Sequence, residues 1–480
     1  MRYSFFLMFL LLVFGCTEKQ TENNETSAES RPPNIIYILA DDLGYGDLSS
    51  YGQEKFNTPN IDRLASGGMK FTDHYAGTTV CAPSRCALMT GMHTGHSLIR
   101  GNKEWIPEGQ WPMADTAFTV AEMLKQSGYT TGAFGKWGLG FIETPGNPND
   151  QGFDKFFGYN CQRLAHNYYP DHLWDNKDKV LMEGNLDRGT GDYGPIRIHE
   201  KAIQFIRDNK DRPFFLYYPS VIPHAELVAP TEYMAKFRGK FDPETQYEGV
   251  DEGDNYRLGP YGSQSECHAA FAAMVNLLDQ QVGEVLDLVD ELGLSENTLI
   301  MFTSDNGPHL EGGADPDYFN SNGPYTGYKR DLYEGGIRVP MLAKWEGHIK
   351  PGSKTDLPSA FWDVMPTLAE LTGAKIDKQI DGISFLPTLL GEGDQKKHEY
   401  LYWEFHERGG RKALRQGDWK IVKYDLEKHP DDTPQLFNLK DDPSESNDVA
   451  AEYPEKLREL TELMQKARVP NDVFKFPGEE

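Results

Sequence analysis

Asn34-Ile35-Ile36-Tyr37-Ile38-Leu39-Ala40-Asp41-Asp42 is the stretch on which the reading of the fold turns. Its first seven residues carry no charge and no polar–apolar alternation, so they predict a strand covered on both faces, as in a parallel sheet. The run ends abruptly in two aspartates. Three further segments repeat the design. Residues 129–134 run into Gly135-Lys136-Trp137-Gly138-Leu139-Gly140, and residues 214–218 lead to Pro219-Ser220-Val221-Ile222-Pro223-His224. Residues 298–303 end at Ser304-Asp305-Asn306-Gly307.

Helical segments fall between these strands. Thr58-Pro59 and Gly67-Gly68 frame a short helix over residues 60–66. Asp115 or Thr116 can cap a helix carrying Val120, Ala121 and Leu124 that stops at Gly128. The longest helix covers residues 267–292, with Phe271, Met274, Val275, Leu278, Val282, Val285, Leu286 and Val289 on one face. Alternating buried strands and helices predict an α/β fold, a mostly parallel central sheet with helices on both faces. After Gly391 the texture changes. Residues 400–405 and 419–424 read as short antiparallel strands, and Pro454 opens a helix with Leu457, Leu460 and Leu463. The expected layout is a main domain over residues 34–390 and a small C-terminal α+β domain over 391–480.

With 74 acidic against 48 basic residues, the chain is a poor partner for nucleic acid, so cations meeting an anionic substrate must be gathered locally. At the N-terminus, Arg2 precedes an unbroken apolar run over residues 5–14, then Gly15-Cys16. The run falls short of the about 20 residues that span a bilayer and describes an export signal. It resembles a bacterial lipoprotein signal: residues 1–15 are removed, Cys16 is lipidated, and residues 16–33 form a polar tether. The alternative is simple secretion. Apart from Cys16 and Cys81, the cysteines Cys86, Cys161 and Cys267 are an odd set with no regular spacing, which is not a disulfide framework and leaves one bridge open.

The chemistry gathers at the strand ends. Asp41-Asp42 and Asp305-Asn306 offer carboxylates and an amide where open α/β sheets collect ligands, a donor set that suits calcium or magnesium. Such residues also serve ordinary turns. In Cys81-Ala82-Pro83-Ser84-Arg85-Cys86-Ala87-Leu88-Met89-Thr90-Gly91, Pro83 suits a first helical turn and Gly91 a stop. Cys81 is thus expected just ahead of a helix N-terminus, where anions are attracted, with Arg85 beside it. Read alone, this is either a nucleophile facing an anion or a buried structural cysteine.

The C-x-P-S-R pattern with its following leucine and Thr-Gly pair resembles the signature of the formylglycine-dependent sulfatases of the alkaline phosphatase superfamily. The resemblance runs from Asn34 to beyond Asn447. It implies that Cys81 is oxidised by a formylglycine-generating or sulfatase-maturating enzyme to an aldehyde, whose hydrate attacks sulfur and later expels sulfate. It implies that Asp41, Asp42, Asp305 and Asn306, completed by residue 81, bind one calcium ion, with magnesium the lesser alternative. Arg85, Lys136 and Lys329 would hold sulfate or orient residue 81, and His224 would protonate the departing alcohol. Lys329 lies in Tyr328-Lys329-Arg330-Asp331-Leu332-Tyr333-Glu334-Gly335-Gly336, itself similar to a family block. Gly138 departs from the pattern, because many relatives have histidine two residues after the lysine. His93, His96 and His166 are the candidates to replace it, and His166 is a further candidate for substrate binding.

Residues 162–170 and His172-Leu173-Trp174 combine aromatics with hydrogen-bonding groups, as a sugar site or an ordinary packed loop would. Export on a lipid anchor favours sulfated glycans at a bacterial surface, algal polysaccharides such as ulvan or carrageenan ahead of animal glycosaminoglycans. Two alternatives stand: a phosphate or phosphonate ester hydrolase of the same superfamily, and a non-catalytic glycan-binding lipoprotein.

Overall fold

The computed structural model describes residues 1–3, 31–106, 108–476 and 479. The apolar run read as an export signal, Cys16 and most of the expected tether lie outside the described residues. Among the described residues, no helix is long and apolar enough to cross a membrane. Residues 32–480 form one compact unit.

Its centre is a ten-stranded sheet. The strands in chain order are β1 (Asn34–Ala40), β2 (Met69–Phe71), β3 (Thr130–Lys136), β4 (Lys155–Tyr159) and β5 (His172–Asp175). They continue as β6 (Asp178–Leu181), β7 (Phe214–Pro219), β8 (Thr298–Ser304), β9 (Met341–Lys344) and β10 (Ser353–Thr355). The spatial order is β10-β2-β9-β8-β1-β7-β3-β4-β5-β6. The middle of the sheet, β8-β1-β7-β3-β4, is parallel throughout, and antiparallel pairs of β9 and of β5 and β6 flank it. The sheet is therefore mixed, with a parallel core where the expected apolar runs lie.

Every residue of β1 is buried, and its side chains divide by parity. Ile36 and Ile38 join a core with Ile61 and Leu64 of α1 (Pro59–Gly67), Phe205 of α4 (Gly194–Asn209) and Leu278 of α5 (Cys267–Glu291). Ile35, Tyr37 and Leu39 join the opposite core with Leu88 of α2 (Cys81–Thr90), Leu124 of α3 (Val120–Gln126) and Leu368 of α6 (Val364–Thr372). Helices thus cover both faces. Two expected boundaries shift. The cap of α3 is Thr119, not Asp115 or Thr116: its side chain accepts the Glu122 N–H while Glu122 reaches back to the Thr119 N–H, a capping box. Cys81 is the first residue of α2 rather than the one ahead of it, because extended Val80 takes the cap position; Gly91 closes the helix at φ 68.

Residues near the C-terminus build a four-stranded antiparallel sheet, β11 (Leu401–Phe405), β12 (Arg411–Gln416), β13 (Trp419–Lys423) and β14 (Gln435–Asn438), followed by α7 (Pro454–Lys466). Trp403, Phe405 and Val422 of this sheet share a core with Tyr75, Val80 and Ala87, so it packs directly behind the start of α2. A buried charge network ties the same seam. Lys420 lies 2.9 Å from Glu334 and 2.8 Å from Glu445, and Arg415 pairs with Asp73 at 2.8 Å.

Candidate active site

Strand register assembles the site. Ala40 pairs with Ser304, so Asp41 and Asp305 leave neighbouring strands side by side. The Asp41 N–H donates to Ile222 O of the segment after β7, and the Asp305 N–H to Ala40 O, both at 3.1 Å. Asp42 adopts a left-handed conformation at φ 64, and its N–H donates to Asp305 Oδ1 at 3.1 Å. This turn aims both carboxylates into one buried cluster.

Lys136 ends β3 beyond β7 and reaches Asp41 Oδ2 at 2.6 Å and Cys81 Sγ at 3.4 Å. Its place depends on Gly135, where a Cβ would stand 1.8 Å from Pro219 O at φ 143. Lys329 reaches Asp42 Oδ2 at 2.7 Å, and His224 Nε2 lies 3.5 Å from the same oxygen. Arg85 directs Nε and Nη2 to Asp305 Oδ2 at 3.0 and 2.8 Å and Nη1 to Lys136 O. With its fork engaged on both sides, Arg85 orients Asp305 and the end of β3 rather than presenting itself to an incoming anion.

The structure therefore gathers Cys81, Asp41, Asp42, Asp305, Asn306, Arg85, Lys136, Lys329 and His224, which are remote in sequence. Asp41, Asp42, Cys81 and His224 offer ligand atoms within 4.8 Å of one another. Three carboxylates face three cations, all buried. Burial, reinforced by Asp41, pushes the Asp305 carboxyl upward against the pull of Arg85. Burial would raise Asp42 too, but Lys329 and His224 hold it well below the usual carboxylate range. Burial pushes the Cys81 thiol up to about 12 in spite of Lys136 and Lys329, so the unmodified side chain is a neutral, weakly nucleophilic thiol at neutral pH. Asn306 Nδ2 donates to Asp42 Oδ1 at 2.7 Å, while its Oδ1 is buried without a hydrogen-bond partner. An unpaired amide oxygen among buried carboxylates fits a hard divalent cation.

Among the histidines considered for the place of Gly138, His93 and His96 stack together and engage Asp381, beside Trp362 and Tyr402. They belong to a structural cluster. His166 instead stacks on His224, with ring centroids 5.2 Å apart, and its Nδ1 meets Gly259 O at 2.8 Å. Burial pushes His166 down to about 4 and lowers His224 well below its ordinary value, with Lys329 and Lys136 adding to the latter.

Sequence reasoning missed His309, and it gave Gln162 only as part of residues 162–170, without a link to Gly138. His309 stacks on the other side of His224 at 5.9 Å, making a row of three imidazoles, with Nε2 donating to Pro223 O at 3.1 Å. The signal was its position just after Asn306-Gly307-Pro308. Gln162 lies over Gly138: a Cβ there would stand 2.6 Å from Gln162 Nε2, and both polar atoms of this buried amide lack partners. No sequence pattern links these two positions. Tyr168, His172 and Trp174 of the same stretch are engaged internally. Tyr168 donates to Val221 O and His224 O, while His172 and Trp174 hold Glu108.

A parallel-cored sheet whose carboxyl-end loops carry an acidic cluster ringed by cations defines an anion-ester hydrolase of the alkaline-phosphatase-like class. Comparison with known proteins narrows it. The family model described as Sulfatase matches residues 33–374, and that of the N-sulphoglucosamine sulphohydrolase C-terminal region matches residues 325–469. The chain is 31% identical to the N-acetylgalactosamine-6-O-sulfatase of Bacteroides thetaiotaomicron, over 96% of this chain and 97% of the relative. It is 32% identical to human arylsulfatase A, over 91% and 88% of the two chains. The crystal structure of Ps i-CgsB with k-i-k-neocarrahexaose superposes with a TM-score of 0.77 at 30% identity, over 94% of this chain and 95% of that one. The chain belongs to the type I sulfatases of the alkaline phosphatase superfamily and is a sulfuric ester hydrolase.

Proposed function

We propose that this enzyme releases sulfate from sulfated glycans through a formylglycine made from Cys81, with one calcium ion held by Asp41, Asp42, Asp305, Asn306 and residue 81. The unpartnered Asn306 Oδ1 amid three buried carboxylates carries the metal reading. An all-oxygen set from the protein favours calcium over magnesium, which tends to keep several waters. When bound, the ion supplies positive charge against the sulfate oxygens, and the hydrated aldehyde supplies the attacking hydroxyl.

The chain's own residues do the rest. Lys136 and Lys329 bring fixed positive charge to the sulfate, where negative charge builds as the ester bond breaks. Arg85 holds Asp305 in place. His224 Nδ1 contacts Ala225 O, so the neutral ring presents Nε2 as an acceptor toward the site. Arrival of an anionic ester offsets Lys136 and Lys329, the ring takes up a proton from solvent at Nε2, and that proton passes to the leaving oxygen. Tyr168 fixes the ring's backbone by its two hydrogen bonds.

The glycan reading rests on the relatives, one named for a sulfated amino sugar and one holding a carrageenan-type hexaose. We favour algal polysaccharides, carrageenan or ulvan, ahead of animal glycosaminoglycans, and a protein exported and anchored by lipid on Cys16 to a bacterial envelope. The test is sulfate release from a panel of algal and animal oligosaccharides by protein produced with a maturating enzyme, with Cys81→Ala as control. Release from a sugar, lost in the control, abolished by EDTA and restored by calcium, is expected. Turnover of phosphate esters in place of every sulfated sugar refutes the reading. Calcium raising the melting temperature of the Asn306→Ala variant as much as that of the parent refutes the metal assignment.

A further inference from the structure

A cavity of about 540 Å³, a size typical of small-ligand sites, is lined in part by the turn that carries His166. Arg163, Leu164 and Asn167 line one wall, and the same turn ends in His166, which stacks on His224. Tyr256, Arg257 and Leu258 line another wall, just before Gly259, whose carbonyl meets His166. Arg188 closes the third. The cavity and His224 thus share the Leu164–His166 turn as a common neighbour.

Its charge is unusual for a chain with a formal net charge of −26. Arg188 and Arg257 both stack on Tyr256, at 5.3 and 4.9 Å, and Arg257 Nη1 donates to Gly189 O at 2.8 Å. Among the described residues neither guanidinium is paired with a carboxylate, whereas Arg163 is bound to Glu104 at 3.1 Å. Of the three carboxylates lining the cavity, Glu108 is engaged by His172 and Trp174, Asp171 by His172, and Asp187 is exposed. Asp187, Arg188 and Arg257 also hold left-handed backbones at φ 53, 67 and 58. Three non-glycine residues kept in this costly conformation around one cavity point to a built site.

We propose that this cavity is a second subsite, taking the sugar next to the sulfated one and pairing that neighbour's own anionic group, sulfate or carboxylate, with Arg188 and Arg257. This rests on the glycan reading above and deepens it: the preferred substrate is an oligosaccharide anionic on two adjacent sugars. Arginine forks suit both anions, and the Tyr256 ring between them offers a face to the sugar.

The test is equilibrium binding to the full-length Cys81→Ala protein with calcium, which separates binding from turnover. The probes are the sulfated monosaccharide whose sulfate the matured enzyme releases in the algal and animal panel above, a disaccharide joining it to a neutral sugar, and two disaccharides whose second sugar carries a sulfate or a uronate carboxylate. At least one anionic disaccharide should bind about tenfold or more tightly than the neutral one, as charged hydrogen bonds contribute. That advantage should collapse in Arg188→Ala, whose side chain is exposed, and in Arg257→Ala. Which probe gains identifies the anion. Equal binding of neutral and anionic disaccharides, or an advantage that survives both substitutions, overturns the subsite. Failure of the glycan reading shows separately, as matured enzyme that hydrolyses 4-nitrophenyl sulfate but no member of the algal and animal panel.

Discussion

Replacing Lys420 by methionine tests the seam that holds the C-terminal sheet behind α2. Its ammonium sits 2.9 Å from Glu334 and 2.8 Å from Glu445, and all three side chains are fully buried. Glu334 would keep Arg338 at 3.0 Å, whereas Glu445 would keep only the Glu334 N–H. Burial already pushes the Glu445 carboxyl upward, and Lys420 is what opposes it. Removing one partner of a buried pair typically costs about 3–5 kcal/mol, because the other charge is stranded out of water. Lys420→Met should lose that much in urea-induced unfolding followed by tryptophan fluorescence. The double variant Lys420→Met/Glu445→Gln should recover about 1–3 kcal/mol, since the stranded charge is gone. A loss below about 1 kcal/mol, the value of an exposed pair, would refute the reasoning, as would a double variant no more stable than the single one.

Two other perturbations follow from the same geometry. His74 sits among Phe71, Phe361 and Phe385, and burial pushes it from its ordinary 6.5 down to about 3. The unfolded chain takes up the proton first on acidification, so His74 contributes stability that is complete above pH 6.5 and is lost as pH falls toward 3. About 2 kcal/mol should disappear by pH 5, and His74→Phe should lack that component in parallel unfolding titrations; identical pH profiles would reject the buried neutral imidazole. Gly135→Ala would drive a Cβ to 1.8 Å from Pro219 O and force β3 off β7. It should cost about 2–3 kcal/mol of stability and lower sulfate release about a hundredfold by displacing Lys136, an outcome refuted by activity near that of the parent.

The sequence by itself determined the parallel core and that Cys81 stands at a helix start beside Arg85. Unalternating apolar runs as short as residues 34–40 suit strands buried on both faces, being too short for a helix, and each ends where its polar residues begin. The spacing Cys81-x-Pro83-Ser84-Arg85 and the pairs Asp41-Asp42 and Asp305-Asn306 were legible only together, through the family resemblance, because each alone also fits a structural cysteine or an ordinary turn. Helix limits were less so. Thr119 caps α3 rather than Thr116 because the reciprocal bond to Glu122 outcompetes a nearby cap with no such partner.

Only the tertiary structure decided which isolated residues share the site. His309, Gln162 and the arginines at positions 163, 188 and 257 come from loops whose approach depends on strand order, β8-β1-β7-β3-β4, and on backbone turns with positive φ. It likewise separated His166, stacked on His224, from His93 and His96, which are held by Asp381. A local pattern records what one segment needs from its neighbours along the chain. Contacts between loops that leave different strands are set by register and packing, which no single segment encodes.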